Sequence, residues 1–284
     1  MISKNPMQLK AFVKNKARES GISAQLVMQN YLMERLLERV SLSKYKQNFI
    51  LKGGFLIAAI VGLDSRATMD MDATIKGFTL THSVLKEIFE EICSLPTLDN
   101  ISFKLNRITD IREMEEYPAL RVHLTANYSP LAVPLVVDVT SGDKITPREV
   151  EFSYKLMFDD RSISVMAYNL ETILAEKLET ILSRGIANTR PRDFYDVYIL
   201  NTLHSASYNL STLRQALNET AKSRGSEYIL DDYKKIIDTI RDNSQMQGFW
   251  DKYRDDYSYA KDILFQNTCE SVLSLMDSIC HSRS

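Results

Sequence analysis

The sequence predicts an α+β protein: a mixed β-sheet with flanking helices in residues 1–160, followed by a mainly helical part in residues 161–284. Three observations carry this expectation. Residues 101–108, 119–127 and 135–140 alternate or are β-rich, with turn signals at Pro96, Asp99-Asn100 and Ser129-Pro130. A further strand carrying Asp70, Met71 and Asp72 would begin the same sheet. Helical spacing precedes that strand and returns from Asn169 almost to the end, so the chain changes character between positions 158 and 168.

With 284 residues, 44% hydrophobic and 25% charged, the chain is ordinary for a soluble globular protein and long enough for a large core. A net charge of -2 and a pI near 6.1 exclude a protein that coats nucleic acid through bulk electrostatics, and leave a local basic patch open. Cys93, Cys269 and Cys280 form no C-x-x-C and do not pair with histidines at zinc spacing, so reduced cysteines are expected. The N-terminal stretch has no apolar h-region, and the longest apolar run, residues 55–61, is far below the ~20 residues a membrane helix needs. A cytoplasmic protein without membrane contact is expected.

Residues 6–18 and 24–40 have helical spacing. In the second, Leu26, Val27, Tyr31, Leu32, Leu36, Leu37 and Val40 make an apolar stripe with Gln, Glu and Arg opposite, and Ser23 is placed as N-cap. There follows KGGFLIAAIVGLDSRATMDMDATI, from Lys52 to Ile75. Without Cβ atoms, Gly53 and Gly54 let a phosphate approach the backbone, and the apolar segment behind them can point a helix N-terminus at the anion. In the strand that closes the stretch, Asp70, Asp72 and Thr74 share one face, while Met71, Ala73 and Ile75 turn to the core. Two neighbouring carboxylates repel, and a hard divalent cation removes that cost. Taken singly, a Gly pair is usually a turn and a D-x-D pair an exposed strand or loop.

After Gly77, residues 83–94 have helical spacing. In LVVDVTSGD, Asp138 sits among Val136, Val137 and Val139 on a strand that is either buried, where the charge needs a partner, or half-exposed with the Asp facing solvent. Asp143, in the next turn, is expected to cap the loop. Then comes AYNLETILAEKLETILSRGIANTRPRDFYDVYIL. Leu170, Leu174, Leu178 and Ile181 line one side of a helix that Gly185 ends; Lys177 and Arg184 share another face, which on a bland account is simply solvated. Arg192, Asp193 and Asp196 cluster at the start of the next helix. The C-terminal tyrosines and Trp250 either stack on nucleobases or pack as core, and core is favoured.

The pattern KGG, Arg66-x-Thr68-x-Asp70-x-Asp72 and the later AEK, R-G-x-x-N-T-R-x-R-D-F-Y-D resemble the two signatures of the AbiEii/AbiGii toxins, nucleotidyltransferases of type IV toxin–antitoxin systems with the fold of DNA polymerase β. The resemblance runs from about Gln25 to Phe265, with Pro191 standing where relatives often carry methionine. It implies that Asp70, Asp72 and Asp138 bind Mg2+ or Mn2+, with Asp138 also serving as base toward an acceptor hydroxyl. It implies that Lys52, Gly53, Gly54, Arg66, Thr68, Lys177, Arg184 and Arg192 hold an NTP, Lys177 as a point charge on a phosphate. Asp193 and Asp196 would orient Lys177, Arg184 or the acceptor. The implied partners are a cognate antitoxin and an RNA acceptor; some relatives modify tRNA 3′ ends and others are described as GTP-binding. Two other readings compete. A metal-dependent nuclease also uses clustered carboxylates but does not explain the Gly pair, and a nucleotide-binding interaction protein would keep the fold with little turnover.

Overall fold

The structure, a computed structural model, describes residues 5–111 and 119–281. Residues 1–4 of the stretch inspected for a leader lie outside them. The chain divides into two compact units, one formed by residues 1–143 and 149–167, the other by residues 144–148 and 168–284.

The first unit contains α1 (Pro6–Ser20), α2 (Ala24–Leu42), β1 (Phe49–Lys52), α3 (Gly53–Val61), β2 (Met71–Ile75), α4 (His82–Ser94), β3 (Ser102–Asp110), β4 (Ala119–Tyr128), β5 (Leu131–Ser141), β6 (Val150–Lys155) and β7 (Ser162–Ala167). The strands form one seven-stranded sheet in the order β3-β4-β5-β2-β1-β7-β6. It is mixed: β2 runs parallel to β5 and β1 parallel to β7, and the other pairs are antiparallel. Alternation fixes the faces. In β4, Leu120, Val122, Leu124 and Ala126 are buried, whereas Arg121, His123, Thr125 and Asn127 are half-buried on the other face.

The helix starts obey local chemistry. Asn5 Oδ1 accepts from Gln8 N at 2.9 Å, with Pro6 opening α1, and Ser23 Oγ accepts from Leu26 N at the start of α2. The charged residues on the polar face expected of α2 do not reach solvent, although Gln25 does. Glu34, Arg35, Glu38 and Arg39 are buried, because each finds a partner: Arg35 binds Glu34 and Glu38 (2.8 Å), Arg39 forks Asp99 with two 2.9 Å bonds, and Arg161 reaches Glu38 at 2.9 Å. Burial raises the Glu34 carboxyl to about 7 even against the lowering effect of Arg35.

Strands β1, β6 and β7 were not apparent from the sequence. β1 is a four-residue run buried between two neighbours, FILK, that passes directly into an apolar helix, so no alternation marks it.

The second unit contains α5 (Leu170–Arg184), α6 (Pro191–His204), α7 (Leu210–Arg224), α8 (Tyr233–Arg241), α9 (Ser244–Asp256) and α10 (Phe265–His281). Asn169 caps α5 and also donates to the carbonyls of Thr146 (2.8 Å) and Arg148 (2.9 Å), which fastens residues 144–148 to this unit. Most of the aromatic residues there pack as core: Trp250 is fully buried and donates to Ile263 O at 3.0 Å, and Phe194 meets Phe265 at 5.4 Å. Among the described residues no helix is long and apolar enough to cross a membrane.

Candidate active site

Strand β1 delivers Lys52, and the chain turns into α3 at Gly53, whose φ of +66° belongs to the left-handed region. A Cβ on Gly53 would lie 2.1 Å from Asp72 Oδ2, and one on Gly54 would lie 3.1 Å from Thr68 Oγ1 and 3.2 Å from Arg66 Nη2. The Gly pair is therefore pressed against the D-x-D strand and the residues leading into it. Buried Phe55, Leu56, Ile57 and Ala58 anchor α3, and its N-cap, Lys52, offers no side-chain acceptor to the first-turn amides. Those amides are the anion-binding element expected of this turn. Gly53→Ala is expected to cost more than about 2 kcal/mol, from backbone strain and from displacing the Asp72 carboxylate, and to weaken nucleotide binding. Denaturant unfolding and NTP titration of the variant check this.

The loop before β2 is held from α2. Asn30 Nδ2 donates to Thr68 O at 2.7 Å and Gln29 Nε2 to Met69 O at 2.9 Å, while buried Arg66 donates to Ala67 O. Asn30 is 3% exposed and had no place among the expected site residues; a lone amide inside the apolar stripe of α2 was its only signal. Thr68 Oγ1 bonds Asp70 O at 3.3 Å, and Asp70 sits exposed at the mouth of β2.

Register then builds a charged row across the sheet. Lys52 pairs with Asp72, Asp72 with Asp138, and Asp138 with Arg121. Side chains of directly opposed residues share a face, so two neighbouring carboxylates are bracketed by two cations. Lys52 Nζ donates to Thr140 Oγ1 at 2.7 Å and to Asp143, so Asp143 does more than close a turn: it fixes the lysine. Arg121 was not foreseen. Its Nε and Nη2 fork the Asp138 carboxylate with two 2.7 Å bonds. The bond to Asp138 raises the guanidinium pKa, burial opposes this, and Asp70 and Asp72 add their fields.

The donor set of Asp70, Asp72 and Asp138 is all hard oxygen, the chemistry Mg2+ and Mn2+ select. Among the described residues no three acidic, His or Cys side chains are grouped to hold a metal ion; the third carboxylate is committed to Arg121 instead. The donors fit such an ion in chemistry, strand register opposes Asp72 to Asp138 while Asp70 precedes β2, and Arg121 is the cation that Asp138 meets.

The second unit brings together Lys177, Asp193 and Asp196. Lys177 Nζ lies 2.6 Å from Asp193 Oδ1 and 2.9 Å from Asp196 Oδ2, with Asp193 and Asp196 buried in α6. Burial disfavours the ammonium, but the two carboxylates, Asp193 first, outweigh it and raise its pKa to about 12. Among the described residues, buried Asp193 Oδ2 in this cluster and Asn188 Nδ2 shortly before it in sequence meet no hydrogen-bond partner. Pro191 opens α6 at a position where no amide is needed. Arg192 is exposed on the first turn, and Arg184, at the end of α5, lines a cavity of about 380 Å³ with Ile186, Tyr228 and Lys235. Buried Glu179 is held by Arg224, the last residue of α7, and by Ser226 Oγ at 2.8 Å.

The family model of the nucleotidyl transferase AbiEii toxin of type IV toxin–antitoxin systems matches residues 35–271. Among solved structures, a Helicobacter pylori protein designated a nucleotidyltransferase is 15% identical, with a TM-score of 0.49 over 91% of this chain and 96% of its own. JHP933 from Helicobacter pylori is also 15% identical, with a TM-score of 0.49 over 90% and 92%. No curated protein matches the chain.

Proposed function

Because the chain belongs to the family of AbiEii nucleotidyl transferase toxins of type IV toxin–antitoxin systems, we propose that it transfers a nucleotide from an NTP to an acceptor hydroxyl of RNA, in the cytoplasm, as a toxin countered by a cognate antitoxin. One observation supports this most: the Gly53-Gly54 turn is packed against Asp72, Arg66 and Thr68, so that a phosphate-binding turn and a carboxylate strand form one site.

In this reading Asp70, Asp72 and Asp138 hold Mg2+ or Mn2+, which supplies charge neutralisation at the triphosphate. The first-turn amides of α3, with Arg66, Thr68 and Lys52 nearby, orient the phosphates. The acceptor oxygen forms a bond to the α-phosphorus, the bond from that phosphorus to the bridging oxygen breaks, and pyrophosphate leaves with the electron pair. Asp138 takes the hydroxyl proton. Lys177, assigned by resemblance to a phosphate, is already neutralised by Asp193 and Asp196, which supports an orienting part for the trio as well. A tRNA 3′ end is the acceptor class some relatives suggest.

The test is incubation of the purified protein with each labelled NTP, Mg2+ and total RNA. A labelled RNA band is expected; NTP bound in a metal-dependent way without any labelled product would favour the binding-protein reading, to which the Arg121–Asp138 fork lends some support. Arg121→Gln should free Asp138 and tighten Mn2+ binding to the nucleotide-free protein about fivefold, the worth of a half-exposed ion pair of about 1 kcal/mol. Calorimetric titration reads this without turnover, and an unchanged affinity would separate Arg121 from the metal site.

A further inference from the structure

Resting on the nucleotidyltransferase reading, the geometry points to where the acceptor lies: we infer that the solvent face of strands β3 and β4, carrying Lys104, Arg107, His123 and Arg121, binds the phosphodiester backbone of a single-stranded nucleic acid whose end reaches the Asp72–Asp138 pair. The register places Lys104 opposite Thr125, Arg107 opposite His123 and Thr109 opposite Arg121, all on the face away from Leu120, Val122 and Leu124. Because Arg121 is in turn opposite Asp138, this strip runs without a break from the edge of the sheet to the carboxylates.

Two of the charges there, on Lys104 and Arg107, are not spent on other described residues, whereas Arg121 is already forked to Asp138. Lys104 and Arg107 are exposed and form no ion pair among the described residues. Neither strand carries an acid on this face: Asp110 is registered with Leu120 and pairs with His82 at 3.4 Å. His123 registers the crowding of cations. Burial first, then the fields of Arg107 and Arg121, lower its pKa. Neutral hydrogen-bonding groups fill the gaps, with Asn106 at a register shift donating to Thr125 Oγ1 at 2.9 Å and Thr109 Oγ1 3.1 Å from His123 Nε2. In a chain of net charge -2 such a strip is a local feature, and its complement is a run of phosphates.

The experiment uses the full chain, a fluorescein-labelled single-stranded RNA and EDTA to silence turnover, with anisotropy read over a salt series. Wild-type protein should bind with a salt-dependent affinity. Lys104→Glu and Arg107→Glu should each weaken binding about tenfold and flatten the slope of log K against log salt by about one. Both residues are exposed, so the thermal midpoint and NTP affinity should not change. Single-stranded DNA of the same sequence should compete, since phosphates are the main contact. Undiminished RNA binding in both variants, absence of RNA binding by the wild type, or equal competition by polyglutamate would overturn the inference. NTP binding in Mg2+ is measured on separate EDTA-free aliquots of the same proteins: its absence in the wild type counts against the nucleotidyltransferase reading, whereas its presence with unaffected RNA binding in the variants counts against this surface alone.

Discussion

Lys177→Ala is expected to destabilise the protein by about 3–5 kcal/mol, because it leaves the buried Asp193 and Asp196 carboxylates without a counter-charge. The sequence alone suggests the opposite, since Leu174, Leu178 and Ile181 carry the packing of α5 and a lysine on another face could be trimmed at little cost. The structure changes this expectation: the Lys177 side chain is 18% exposed, against 4% and 0% for its partners. Denaturant unfolding should show a lowered midpoint with an unchanged slope. Lys177→Arg keeps the charge and should recover part of the stability, so that it can be assayed folded; its planar fork does not reproduce an ammonium at two carboxylates or a phosphate, and activity should stay reduced. The pH dependence follows from the raised pKa. A group whose pKa rises on folding from 10.5 to about 12 contributes fully below 10.5 and loses that contribution as pH climbs through 12. The wild-type advantage over Lys177→Ala should therefore be flat from pH 7 to about pH 10 and shrink above it. A variant as stable as the wild type would remove the ion cluster from any role in holding α5 to α6.

Much of the first site was legible because its residues are neighbours in sequence. Gly53, Gly54, Arg66, Thr68, Asp70 and Asp72 all fall within one short stretch, and strand alternation alone sends Met71, Ala73 and Ile75 inward. Asp138 could be proposed because a carboxylate among valines needs a partner. The identity of that partner was not legible. Arg121 meets Asp138 through antiparallel pairing of β4 and β5, and in sequence it is one more outward-facing residue on an alternating strand. Asn30 escaped for a related reason: its acceptor, Thr68 O, is a backbone atom far along the chain, which no side-chain pattern announces. The charges of α2 mislead in the same way. Composition rules send Glu34, Arg35, Glu38 and Arg39 to the surface, and their burial is tolerable because Arg35 pairs with Glu34 and Glu38 while Asp99 and Arg161, distant in sequence, complete the set.

Asp72→Asn should lower nucleotide transfer by at least about 100-fold, equivalent to about 3 kcal/mol of transition-state stabilisation, while leaving the fold intact. The two effects separate because of what surrounds the residue. An amide has the shape of the carboxylate, so the close approach of Gly53 to this side chain survives. Lys52 keeps its acceptors Thr140 and Asp143, and Asp138 keeps Arg121. Removing one of two carboxylates paired across β2 and β5 also relieves repulsion, and the melting temperature without metal should be equal to or above that of the wild type. A readout independent of turnover comes from linkage: Mn2+ with a non-hydrolysable NTP analogue should raise the wild-type midpoint, by an amount that grows with ligand concentration, and should leave the variant nearly unmoved. If Asp72→Asn binds Mn2+ as the wild type does and still transfers nucleotide, Asp72 is not a metal ligand, and the reading of the Gly53–Asp72 contact as one catalytic unit falls with it.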